Sequence, residues 1–517
     1  MASDPPNGAL ELGEKTGEIQ IGKGSCSLHN HHTQLPAILP PLSKGRQIAL
    51  VFVLSGASFI NTVSHMSALI LLPTIGKDLH IPQERQQWVV ESYALTFACF
   101  LFLWGRLADV YGRRWIFLLG SCWIILFCLV SPWSPNEITF DIFRGLQGLG
   151  AAANVPTAMG IIGSTFAPGS AKNYAISLFS AGFPLGSVVG NIIGGVIGAY
   201  AGWKWVYWVI AIITALITLV GYFVIPKVPP PSPDASTKYV VDWFGGVLIT
   251  GALMMFMFGM TEGNVVGWST PYIPVLLVLG ILVAVGFTFW ELHLEKTGMI
   301  RPLMKISLWN NKTFVAAQLI NFFFFAAFTS YLVYATFFYQ TYLGLSVIQT
   351  ALRFLPTGVV GLLAVTLISQ LIARVDGFHI ATWGCVSTGI ACLLFAIPIP
   401  TSTTYWAYGF PAMCLSALGV DTVYPLVALF TIQSVPQEDQ AMGGSIVSAV
   451  GQLGRAIGLA ISTATQVSVE SNAQDEMPHV AQLKGYRAAE WLSFAFCMFS
   501  VIIGAYAFRG AGKVGAK

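Results

Sequence analysis

Fourteen long apolar segments follow one another along this chain. They lie near 47–73, 87–105, 115–133, 139–163, 173–199, 205–226, 243–262, 271–291, 313–341, 352–373, 379–398, 404–432, 442–466 and 488–508. An α-helix needs about 20 such residues to cross a hydrocarbon layer. Backbone amides find no water there, so each segment must bond internally, as a helix. Pro and Gly interrupt several segments, which membrane helices tolerate when neighbours satisfy the freed groups. Charged residues are only 9% of the 517, where soluble domains use about a quarter. The expected fold class is therefore an all-α integral membrane protein in contact with a lipid bilayer. The net charge of +3 gives no reason to expect a nucleic-acid partner.

The segments divide into sets. Residues 1–46 read as a disordered cytoplasmic tail and 47–226 as an N-terminal six-helix bundle. Residues 227–242, within the Pro- and Ser-rich "PKVPPPSPDASTKYVVDW", read as a cytoplasmic linker. Residues 243–310 hold two extra helices and the loop after them, 311–508 a C-terminal six-helix bundle, and 509–517 a short cytoplasmic tail. Most Lys and Arg fall on the side of the two tails, including Arg106, Arg113, Arg114, Lys305 and Arg374. By the positive-inside rule both termini are cytoplasmic, and this topology puts the sequon "NKT" (311–313) inside. Seven of the eight cysteines sit in apolar runs and read as small helix residues rather than disulfide or metal ligands. The tail's His29, His31 and His32 read as solvated, so no metal and no cofactor is expected.

After the second span comes "GRLADVYGRR" (105–114). Gly105 and Gly112 permit close helix approach and a tight turn. Asp109 is spaced to face a helix N-terminus or a basic side chain, with Arg106, Arg113 and Arg114 beside it. This stretch resembles the loop signature of the major facilitator superfamily. "RGLQGLGAAA" (144–153) resembles that family's fourth-span motif, with its intramembrane Arg144. "GFPLGSVVGNIIGG" (182–195) resembles its antiporter motif in Gly182, Pro184, Gly186, Gly190 and Gly194. "GWKWVYWV" (202–209) resembles the start of its sixth span, and "DWFGG" (242–246) points to the fourteen-span drug:proton antiporter branch, fungal members above all.

The resemblance covers roughly residues 46–510. It implies the major facilitator fold, two six-helix bundles plus two extra helices, and a monomer. Three departures stand out. Asn61 and His65 occupy the first-span region where the branch carries an aspartate. The second copy of the loop motif survives only as fragments in "QLIARVDGFH" (370–379), and Phe183 replaces a glycine before Pro184.

Ionisable residues inside a membrane are functional by default. Glu91, Arg144, Asp421 and Arg455 fall within apolar segments, with His65. Asp421 and Arg455 lie at matching depths, about 20 Å along consecutive antiparallel helices, so an ion pair between them is expected. Two roles stay open for it: a static pin, or a carboxylate that exchanges its arginine for a proton. Glu91 either faces water near the outer boundary or accepts an external proton. His65 is either a satisfied core residue or a titrating one. Arg144 orders helices or tunes an acid. The aromatic ninth segment offers Asn321, Tyr331, Tyr334 and Gln340 as cavity groups, unless part of it faces lipid. Asn61 and Gln452 are further cavity candidates.

Two six-helix halves suggest alternating access about a midplane site. The leading reading is proton-coupled export of small organic molecules such as toxins, drugs or secondary metabolites, with protons and the cargo as partners. The alternative is an importer or facilitator of a small polar or inorganic solute. A transporter-like receptor is the remote third, since the C-terminal tail is short. No P-loop, nucleophile elbow or zinc spacing supports an enzyme. The plasma membrane is the expected location, with the vacuolar membrane as alternative.

Overall fold

The computed structural model describes residues 43–507, apart from 83–84, 87, 168, 228–240, 299, 301, 401–402, 437–438 and 474–476. Nearly all of the N-terminal tail, most of the 227–242 linker and the C-terminal tail therefore lie outside the described residues. Fourteen long helices run through the remainder. They are α1 (Lys44–Asp78), α2 (Trp88–Tyr111), α3 (Arg113–Val130), α4 (Glu137–Thr165), α5 (Ser170–Tyr200), α6 (Trp203–Val224) and α7 (Trp243–Val266). Then come α8 (Tyr272–Thr297), α9 (Lys312–Phe337), α10 (Val347–Arg374), α11 (Gly377–Ala396), α12 (Tyr405–Ser434), α13 (Gln440–Asn472) and α14 (Pro478–Ala507).

Twelve of these helices are long and apolar enough to cross a membrane. A thirteenth, α10, qualifies as two apolar stretches bent by 50°. The remaining one, α4, carries Arg144, Gln147 and Asn154, and all three are buried. Its polar groups face protein rather than lipid, which explains a low apolarity in an interior helix.

The packing is repeated. In the first half α1 packs on α5 and α6, α2 on α4, and α3 on α4 and α6. In the second, α9 packs on α13 and α14, α10 on α12, and α11 on α12 and α14. Adding eight to each helix number converts one list into the other. The contacts between halves obey the same rule: α5 meets α10 and α13 meets α2. This is the pseudo-two-fold arrangement in which one half can rock against the other.

Small residues set the closest seams. A Cβ on Gly186 would lie 2.6 Å from the carbonyl oxygen of Phe59, and one on Gly190 2.9 Å from that of Val63. Gly182 and Gly194 meet α1 in the same way, so the glycines at four-residue spacing line one α1–α5 contact. Ser58 Oγ and Ser67 Oγ of α1 donate to the carbonyl oxygens of Phe179 (2.6 Å) and Gly190 (2.9 Å) across it. Its counterpart is the α9–α13 seam, where Gly454 and Gly458 face the backbone at Phe322 and Ala326. The extra helices α7 and α8 pair with each other, and α7 rests on α2. Much of α8 points outward through Val278, Leu282 and Phe289, an apolar surface suited to lipid.

Two boundaries correct the sequence reading. The "GRLADVYGRR" stretch is not a loop after the second span. Helix α2 continues to Tyr111, and only Gly112 (φ 101°) interrupts the chain before α3. That backbone conformation suits glycine, so one residue makes the turn. Helix α14 starts ten residues before the apolar run at 488, because its first turns carry His479, Lys484 and Arg487. Asn311 of "NKT" caps α9 by accepting from the amides of Thr313 (3.0 Å) and Phe314 (3.4 Å).

Candidate functional site

Where α1, α2, α4 and α5 of one half face α9, α12 and α13 of the other, a small cavity remains. Its wall includes Asn61, Phe97 and Phe183 from the first half, and Phe325, Tyr424, Ser448, Gln452 and Arg455 from the second. Four of the lining residues are aromatic. Tyr424 makes edge contacts with Phe183 (5.4 Å between centroids) and Phe325 (5.7 Å), bridging the halves. The Arg455 guanidinium lies 4.5 Å from the Phe325 centroid, a cation–π geometry. Asn61 accepts a hydrogen bond from Tyr93 Oη at 2.6 Å.

The expected Asp421–Arg455 ion pair is absent among the described residues. Neither Asp421 oxygen has a hydrogen-bond partner, and Arg455 makes no ion pair. The reason is topological. Consecutive in sequence, α12 and α13 nevertheless take different principal neighbours: α12 packs on α11 and α10, while α13 packs on α9 and α14 and crosses to α2 and α4. Matching depth did not imply matching faces. Asp421, only 3% exposed, turns toward α10. A Cβ on Gly361 would sit 2.6 Å from Asp421 Oδ2 and 3.5 Å from Pro184 Cγ. The carboxyl thus occupies room left by a glycine, next to the proline of α5, on the seam between the halves. The antiporter-like motif is split accordingly, its glycines against α1 and Pro184 toward the other half.

Arg144 is fully buried and well partnered. It donates to the carbonyl oxygen of Val89 (3.1 Å), to Ser64 Oγ (3.1 Å) and to Gln147 Oε1 (2.6 Å), and lies 4.7 Å from the Tyr93 centroid. Gln147 passes the network on to Ser131 Oγ at 2.9 Å. His65 is half-buried, with its ring 6.4 Å from Tyr93. Glu91 stands in the first turn of α2, where the helix dipole favours a negative charge. Asn321 adjoins the cavity and donates to the carbonyl oxygen of Val447 (2.8 Å). Tyr331 and Tyr334 lie outside its wall. They are buried in a separate aromatic cluster, directed to Met413 Sδ (3.6 Å) and Thr463 Oγ1 (3.3 Å). Gln340 falls in the π-helical turn Phe338–Tyr342 at the end of α9.

At one end of the bundle α2, α4 and α13 close together. Asp109 accepts from the amides of Ala441 (3.2 Å) and Met442 (2.9 Å), capping the N-terminus of α13 from the opposite half. Arg113 holds the same carboxylate at 2.8 Å and donates to the carbonyl oxygen of Gly160 (3.1 Å). Arg106 pairs with Asp439 at 2.9 Å, each 3% exposed, and Lys305 reaches the other oxygen of Asp439 at 3.2 Å. Gly105 lets Ser445 approach and donate to the carbonyl oxygen of Leu101 (2.8 Å). Arg114 takes no part. It donates to the carbonyl oxygens of Ile225 (2.8 Å) and Tyr222 (2.6 Å) at the end of α6.

A profile described as Major Facilitator Superfamily matches residues 54–459. The chain belongs to that superfamily. Its members are transporters rather than enzymes, and this one is a secondary transporter. The low affinity ammonium transporter of Saccharomyces cerevisiae is 29% identical over 463 residues, covering 88% of this chain and 87% of that protein. The efflux pump terJ of Aspergillus terreus is 25% identical over 488 residues, 93% of this chain and 91% of that one. The major facilitator proton:xylose symporter XylE superposes with a TM-score of 0.62 at 14% identity, covering 89% of this chain and 95% of XylE. That likeness concerns the fold alone.

Several facilitator groups escaped the sequence reading. Asp439 sits just before α13, where a lone acid in a connection carries no signal. Ser64, Tyr93, Gln147 and Tyr424 are ordinary helix residues until their facing is known. Glu490 lay at the apparent start of the last span. It is in fact twelve residues into α14, 2% exposed, and neither of its oxygens has a partner.

Proposed function

We propose that this chain is a proton-coupled exporter of small organic molecules, working by alternating access at the cavity between its halves. Asp421 carries the proton. The supporting observation is its unpartnered carboxyl on the α5–α10 seam, beside Pro184. A carboxylate with no counter-charge is costly in a low-dielectric interior unless it takes up a proton. The neutral acid lets α5 and α10 lie together, and loss of the proton favours parting them and admitting water. Lys and Arg placement supports a cytoplasmic position for the Arg106–Asp439 latch, and on that reading the arrangement described is closed to the cytoplasm. Glu91 and His65 are secondary proton candidates. A monomer in the plasma membrane completes the reading.

A second reading, an importer or facilitator of a small polar solute, rests on Asn61 and His65 in the first span and on the ammonium-transporting relative. Accumulation of a panel of labelled compounds in cells lacking their own pumps separates the two. Reduced accumulation that an uncoupler abolishes supports the exporter. Raised accumulation, or none that responds to the uncoupler, supports the second reading.

A further inference from the structure

The cavity contains an arginine and no acid. Among its lining residues only Arg455 carries a full charge. Its Nε is buried without a hydrogen-bond partner, and no carboxylate pairs with it among the described residues. Buried guanidinium groups are ordinarily paired. Asp421, the partner expected from the sequence, faces Gly361 instead. Arg144, the second intramembrane arginine, is satisfied by neutral acceptors. Asp141, three residues before it on the same helix, makes no ion pair with it among the described residues.

We propose that the cargo is a small organic anion, with a carboxylate or similar planar oxyanion on a flat apolar body. The inference rests on the cavity being the transport site. Arg455 would take the anion through its free fork, which matches a planar oxyanion in two parallel hydrogen bonds. Phe325 already covers one face of that guanidinium at 4.5 Å, leaving its in-plane edge for the oxyanion. Phe97, Phe183 and Tyr424 would enclose the apolar body, and Gln452 and Asn61 offer polar edges. A cationic cargo meets the reverse: an uncompensated arginine, with no acid in the wall to receive it.

The test is equilibrium binding to the purified full-length protein in nanodiscs, without any gradient. The probes are three of matched shape: benzoate, benzamide and benzylammonium. Benzoate is expected to bind at least tenfold tighter than the other two. Arg455→Gln should remove that preference, and Arg455→Lys should keep part of it by retaining the charge without the fork. Equal binding of the three, a preference for benzylammonium, binding of none, or a benzoate preference that survives in Arg455→Gln would each overturn the proposal. Should the arginine variants fail to fold, the wild-type ranking alone still decides. A pH gradient imposed on proteoliposomes loaded with the same probes examines proton coupling separately. Charge preference without gradient-driven transport would sink the proton-coupled reading and leave the anion site standing. Gradient-driven transport with no charge preference would do the opposite.

Discussion

The latch and the central cavity handle buried charge in opposite ways. At the latch Asp109 and Asp439, together with Arg106, Arg113 and Lys305, are engaged by opposite charges or backbone groups. In the middle of the molecule, Asp421 and Arg455 have no such partners. Satisfied charges hold an arrangement, and the latch bonds join α13 to α2 across the two halves. On the proposed mechanism the unsatisfied pair takes a proton and a cargo. The sequence shows acids and arginines in both places, and only the geometry separates the two kinds.

The sharpest way to break this contrast is to remove one member of the buried latch pair. Asp439→Ala leaves Arg106 as an uncompensated charge in a dry site, at a cost of about 3–5 kcal/mol, and Arg106→Ala leaves the buried Asp439 with only the part-exposed Lys305. Thermal unfolding in detergent should show a large fall for either single change and a smaller one for Arg106→Met with Asp439→Leu. Single changes that leave stability unaltered would mean the latch is not held by charge. An intermediate effect is expected on the α1–α5 seam. Gly186→Val would force a side chain against the Phe59 carbonyl, at about 1–3 kcal/mol. Gly195→Ala, on the same helix but with no atom nearer than 4.0 Å to its new Cβ, should move the unfolding midpoint little. If the two glycines behaved alike, seam packing would not be what the glycine spacing serves. The smallest effect belongs to Lys305→Gln. Its side chain is 35% exposed, and such pairs contribute below about 1 kcal/mol. A loss as large as that of Arg106→Ala would make the loop after α8 a principal part of the latch.

How far the sequence reached can be judged element by element. The helices, the two halves and the inserted α7–α8 pair were legible because hydrocarbon thickness and backbone satisfaction leave few alternatives. The latch was legible in part. Asp109 read as a carboxylate facing a helix end or a base, but its target, α13, is more than 300 residues away. The Asp421–Arg455 pairing failed because depth along a helix can be counted from sequence whereas facing cannot, and Gly361 rather than Arg455 proved to be opposite the acid. Tyr331 and Tyr334 failed as cavity groups for the same reason. Glu490 was hidden by the polar first turns of α14, which made the span seem to begin beside it.

The most direct test of the central claim is a transport assay on Asp421→Asn in proteoliposomes, using a cargo that the wild type accumulates under a pH gradient. The side chain keeps its size and loses only the ability to exchange a proton. If Asp421 carries the coupling proton, exchange of labelled for unlabelled cargo should continue in the variant while accumulation driven by the gradient disappears. Accumulation at the wild-type level, with the same dependence on pH, would contradict the account and return the seam acid to a purely structural place.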